Sequence, residues 1–113
     1  MTNATLRWAE FIGVQFDGAD LTSSNFNGTN LNQANLSEAI LTDCNLNLTH
    51  LLETIFVRTD IGQTTFNDAA VEKHWFDYIA AQRLDGAAQV AEAYTLTKDV
   101  WERTDFMLKR KKE

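Results

Sequence analysis

The chain has 113 residues, enough for one small domain. At 44% apolar, with no stretch of 18 apolar residues, it reads as neither disordered nor membrane-spanning, and its single cysteine excludes an internal disulfide. The charge of −6 sits in residues 1–70, where eight acids outnumber two bases; residues 71–113 hold eight of each. Met1–Leu6 lacks a basic segment leading into an apolar one, so no signal peptide is expected. That and the lone cysteine point to the cytoplasm.

The first predicted element is a repeat. Every fifth residue is large and apolar: Leu6, Phe11, Phe16, Leu21, Phe26, Leu31, Leu36, Leu41, Leu46, Leu51, Phe56, Ile61, Phe66 and Val71. Two positions before each stands a small residue. These are Ala4, Ala9, Val14, Ala19, Ser24, Thr29, Ala34, Ala39, Cys44, Thr49, Thr54, Thr59, Thr64 and Ala69. Neither helix nor strand has a period of five. The frame runs without a slip over residues 4–71, so a single geometry must serve every repeat. The apolar residue faces inward, and the small residue two before it shares its side, as in a strand. The other positions, rich in Asn and Asp with Gly13, Gly18 and Gly28, must turn the chain through a corner. Four corners close a square, so one coil takes four repeats. Stacked coils then pair their backbones at about 4.8 Å per coil, giving roughly three and a half coils and a rod of roughly 17 Å. An end left uncovered is a sheet-edge hazard, and few residues precede the first repeat, so end-to-end self-association is expected.

The stretches ADLTS, TNLNQ and ANLSE resemble the A-(D/N)-L-x-x unit of pentapeptide-repeat proteins. The resemblance covers residues 4–71 and implies a right-handed quadrilateral β-helix, an all-β solenoid, with residues 1–71 as one unit and 72–113 as a C-terminal helical extension. Ile40, His50 and Ile55 depart from the pattern, standing where Asp or Asn is usual. From Leu48 to Val57 the outward positions also turn apolar.

After the repeats the period changes to 3.6. A first helix is expected over about 69–84, with Asp68 as N-cap and Gly86 as a left-handed stop. Its Trp75 and Ile79 would cover the last coil. A second helix is expected over about 87–111, because Ala87, Tyr94, Trp101 and Leu108 stand seven apart and Ala93, Val100 and Met107 run beside them. Trp75, Ile79, Tyr94, Trp101 and Leu108 are thus the candidate capping or dimer contacts. The second helix packs on the first or on the rod near Leu48, Leu52 and Ile55, or pairs with a second copy. The basic tail Lys109–Lys112 suits a solvated helix end.

No residue set suggests catalysis, a cofactor or a metal. No acid or cysteine shows metal-ligand spacing with His50 or His74. Cys44 lies in the inward small column and reads as an inert core thiol. Arg7, Asn27, Asn47 and Asn67 fall in one column, coil upon coil, an Asn ladder expected to be structural. Asp17, Asp20, Glu38, Asp43 and Asp60 gather around one corner with Arg58 as the sole base, a candidate acidic interaction stripe. The expected function is a non-enzymatic protein-interaction or scaffold module with an unidentified protein partner. Homodimerisation through the C-terminal helix or a rod end is a second expectation, and direct nucleic-acid binding is not expected. The family resemblance implies an alternative: an acidic mimic of DNA that regulates gyrase, another topoisomerase or another DNA-binding protein. A ligand pocket at the rod–helix junction, near Leu48, His74 and Trp75, is a third reading.

Overall fold

The computed structural model describes residues 4–99, 104 and 106–111. Residues 4–71 form a solenoid. Every fifth residue makes a single parallel bridge to its counterpart one coil on: Thr5 to Asn25, Glu10 to Asn30, Gln15 to Asn35, Asp20 to Ile40, and onward to His50 with Ala70. The bridges fall in four columns, so the coil is four-sided. Each side follows one hydrogen-bonding rule. The central apolar residue donates its N–H to a carbonyl of the next coil, as Leu6 does to Asn25 at 2.7 Å and Leu36 to Ile55 at 2.9 Å. At most corners the next side is reached through a turn closed by the N–H three residues on, as Ala34 to Leu31 at 3.0 Å.

The third residue of that turn takes a positive φ throughout. Gly13, Gly18 and Gly28 lie at +72° to +73°. Trp8, Ser23, Gln33, Glu38, Asp43, Leu48, Glu53, Arg58, Gln63 and Asp68 hold +51° to +64° at the same place. This is the type II turn requirement, and glycine meets it without strain. Most corners meet it with side chains, at a cost of about 1 kcal/mol or more each that the stacked coil must offset.

The central column is the core. Leu21 to Val71 are at most 1% exposed and Phe16 is buried, whereas Leu6 and Phe11 are only partly buried. The middle of the column is leucine, and aromatic rings gather at both ends. Phe11, Phe16 and Phe26 meet edge-on at 5.5–6.5 Å near the start. At the far end Trp75 meets Phe56 at 6.0 Å and Phe66 at 5.4 Å.

The segment after the rod departs from the two long helices expected of it. The chain continues as β1 (Ala70–Val71), α1 (Trp75–Ala81), α2 (Ala87–Ala93), β2 (Tyr94–Lys98) and β3 (Phe106–Arg110). The helix expected over 69–84 begins later, because Ala70 still bridges to His50 and donates to the Thr49 carbonyl at 2.8 Å. Asp68 is therefore a corner residue and not an N-cap; its N–H donates to the Leu108 carbonyl at 2.7 Å. Gly86 is left-handed, at φ +94°, but it opens α2 instead of closing α1.

The helix expected over 87–111 ends at Ala93. Beyond it β2 and β3 pair antiparallel, Tyr94 opposite Arg110 and Leu96 opposite Leu108, and β3 pairs with β1, giving the order β1-β3-β2. The seven-residue spacing of Ala87, Tyr94 and Leu108 joins residues of a helix and two different strands. Two causes override it. YTLTK alternates and is β-branched at both threonines. The rod's last edge also presents backbone groups that a strand can pair and a helix cannot. Val100 and Trp101 lie outside the described residues. Among the described residues, no helix is long and apolar enough to cross a membrane.

Candidate interaction surfaces

Most polar residues of the repeat are occupied in holding the coil. Where the residue before a central position is Asn or Asp, its side chain accepts the N–H two residues on. Asn25, Asn30, Asn35 and Asn45 do so with Asn27, Asn32, Ser37 and Asn47 at 2.9–3.0 Å. This local bond explains why Asp or Asn recurs there. Where His50 and Thr65 stand instead, an asparagine of the preceding coil substitutes. Asn32 accepts from Leu52 and Asn47 from Asn67, each at 2.8 Å. Asn67 in turn accepts the N–H of Arg110 at 3.0 Å. The column expected as an amide ladder thus works mainly on the backbone of the next layer.

The inward small column has a second task. Thr54, Thr59 and Thr64 donate their hydroxyls to the carbonyls of Leu31, Leu36 and Leu41 in the preceding coil at 2.6–2.8 Å. Thr29 bonds the Leu6 carbonyl in the same way at 3.0 Å, and also that of Phe26. Cys44 occupies an equivalent place, its thiol 2.9 Å from the Leu21 carbonyl. Burial, the largest influence on it, pushes that thiol up to about 11. It stays protonated and unreactive near neutral pH.

Three acids of the candidate stripe are tied into local contacts. Asp20 accepts from the Thr22 hydroxyl at 2.6 Å and from its N–H at 3.1 Å. The hydroxyl, then the N–H, holds the Asp20 carboxyl below its ordinary value. Asp60 accepts from the Gly62 N–H at 2.9 Å, and Glu38 pairs with Arg58 at 3.5 Å. Asp17 and Asp43 are exposed. Among the described residues they make no side-chain hydrogen bond or ion pair. Ile40, 40% exposed, separates Asp20 from Asp60 in their column. The stripe is therefore a discontinuous set of acids, several of which serve the turns.

The C-terminal segment meets the groups that a further coil would have met. Phe56, Ile61 and Phe66 have no further coil to donate to. Their N–H groups donate instead to the Tyr78 hydroxyl at 2.9 Å, the Asp85 carbonyl at 2.9 Å and the Tyr94 hydroxyl at 3.0 Å. Glu72 accepts the N–H of Glu53 with its carboxylate. Gly86 lies so close to the rod that an added Cβ would stand 2.7 Å from the Gly62 nitrogen. Of the expected contact residues, Trp75, Ile79, Tyr94 and Leu108 are buried here; Trp101 lies outside the described residues. Sequence reasoning misses both tyrosines as hydrogen-bond acceptors, because a phenol replacing a strand leaves no periodic signal.

At this junction a cavity of about 290 Å³ is lined by Glu53, Thr54, Ile55, Glu72, His74, Trp75 and Tyr78. Leu48, expected there, is not among its walls. Ile55 is 40% exposed beside it. His74 pairs with Asp77 at 3.6 Å on the surface. Among the described residues, no three His, Cys, Asp or Glu side chains are grouped to hold a metal ion.

A family model described as Pentapeptide repeats matches residues 1–37 and 29–68, in eight copies. No curated protein matches the chain. Among solved structures, one match is a pentapeptide repeat protein from the thylakoid lumen of Arabidopsis thaliana. It is 21% identical, with 72% of this chain and 68% of that one covered, and a TM-score of 0.28.

Proposed function

The chain belongs to the pentapeptide-repeat family, and from that premise we propose that it is a non-enzymatic protein-interaction or scaffold module. Its rod is a right-handed quadrilateral β-helix, and the helices and hairpin after Val71 act as its cap. Its inward residues are consumed by the core, and most of its asparagine and inward threonine side chains by the backbone. What is left to recognise a partner is the outward side chains at the corners. The observation that carries this reading is the apolar side of the outer wall from Leu52 to Val57. There Leu52, Ile55 and Val57 stand where the repeat usually places polar residues, and the 290 Å³ cavity opens beside Ile55. An apolar patch beside a concave site is a common form of contact surface.

The test starts from a partner cross-linked in the cells of origin, then purified and titrated against the full chain. Ile55→Asp should weaken binding at least tenfold, and raising the salt should leave it nearly unchanged. Affinity that collapses with salt and ignores Ile55→Asp would move the contact to the acids around Asp17 and Asp43.

A further inference from the structure

The segment after the rod contains one turn built like a corner of the rod. Leu84-Asp85-Gly86-Ala87 is closed by the Ala87 N–H on the Leu84 carbonyl at 3.1 Å, with Gly86 at φ +94° and ψ −7°. This is a type II turn. Phe16-Asp17-Gly18-Ala19 and Phe26-Asn27-Gly28-Thr29 are closed by the same bond at 3.0 Å, with glycine at the same place. All three set Asp or Asn directly before glycine. Without a Cβ in the way, a glycine nitrogen can reach the side-chain carbonyl carbon of the residue before it.

The three peptides differ in what holds the glycine nitrogen. Gly18 and Gly28 donate their N–H groups to the Ser37 and Asn47 carbonyls of the next coil at 2.8 and 2.9 Å. The Asn27 carbonyl also accepts the Trp8 N–H at 2.9 Å, and the Trp8 ring lies where a Cβ on Gly28 would stand. At Asp85–Gly86 only the carbonyl is held, by the Ile61 N–H at 2.9 Å. The N–H of a trans peptide points opposite to its C=O, so Gly86 turns its N–H away from the rod. Among the described residues that N–H has no hydrogen-bond partner, and Asp85 is exposed.

We propose that Asp85 is a site of spontaneous isomerisation to isoaspartate, and that the change frees the last coil from this turn. The Gly86 nitrogen attacks the carbon of the Asp85 side-chain carboxylic acid. A C–N bond forms, and the acid's hydroxyl leaves with the nitrogen's proton as water. The cyclic succinimide then takes back one water. Opening at one carbonyl restores aspartate. Opening at the other routes the main chain through the side-chain carboxyl, one methylene longer, and leaves the former main-chain carbonyl as a free carboxylate. Ile61 thereby loses the amide carbonyl it donates to. Gly86 also loses its seat, which is so close that a Cβ would stand 2.7 Å from the Gly62 nitrogen. At Gly18 and Gly28 the same attack first requires breaking a bond to the next coil inside the stack. The reaction consumes only water and does not involve the outer wall beside Ile55, so either proposal can fail without the other.

The full chain, held folded at neutral pH in heavy-oxygen water, reads the reaction, because each opening of a succinimide leaves one heavy oxygen at that residue. Peptide mapping should find label at Asp85 accumulating roughly tenfold faster, or more, than at Asp17, with Asn27 still an amide. In urea the two aspartates should label within about threefold of each other, and Asn27 should convert to the acid. Asp85→Glu, which lacks the five-membered route, should remove the label at that position. The isoaspartate form, separated by chromatography, should exchange its Ile61 amide roughly tenfold faster than the parent, with Leu41 still protected. Equal labelling of Asp85 and Asp17 in the folded chain, or an isoaspartate form whose Ile61 amide stays slow, overturns the proposal.

Discussion

Thr59 shows how one residue serves two layers. Its small side chain fits the interior, and its hydroxyl meets the Leu36 carbonyl of the preceding coil at 2.6 Å. Thr59→Val keeps the volume and removes the donor. It should cost about 1 kcal/mol in a urea titration, with the slope unchanged. Cys44 fills an equivalent niche with a thiol raised to about 11 by burial. Because its folded value lies above the ordinary one, the stability it contributes is present below the usual thiol pKa. That contribution is lost as pH rises toward about 11. At pH 8 an alkylating reagent should leave the native thiol unmodified and label it fully once the chain is unfolded. The inward column is legible in the sequence because alternation demands it. The bonds of its threonines are not, since they join residues of different coils that no local pattern links.

At the scale of elements, two phenols and one carbonyl stand in for a missing coil. Tyr94→Phe should leave the buried Phe66 N–H unmet and cost about 1–3 kcal/mol, read from the thermal or urea midpoint. Thr95→Val, at an exposed position of β2, serves as the control and should change little. This segment is where sequence reading fails most. Ala87, Tyr94 and Leu108 are spaced as on one helix, yet the rod's last edge draws Phe106–Arg110 into strand pairing with Ala70–Val71. A heptad count registers side chains, while the deciding demand comes from backbone groups of a different element. Trp75 and Ile79 are legible because local period and apolar character point the same way, and both are buried under the last coil.

At the scale of the molecule, the two ends of the rod differ. The Leu46 layer is enclosed, whereas Leu6, in the same column, is partly buried in the first coil. Leu46→Ala should therefore cost about 2–5 kcal/mol and Leu6→Ala roughly half of that or less. The square coil itself is readable from a period of five, because neither helix nor strand returns a residue inward at every fifth position and a four-cornered coil does. Which outward residues recognise a partner is not readable in that way, since corners tolerate many side chains. At the rod's far end the C-terminal segment supplies the hydrogen bonds a next coil would have made, and residue-resolved amide hydrogen exchange reads whether it does. The amides of Phe56, Ile61 and Phe66 should exchange as slowly as those of Leu31, Leu36 and Leu41 in the rod's middle. Exchange at those three sites as fast as in an unfolded chain, with the middle still protected, would mean that the C-terminal segment does not replace a coil.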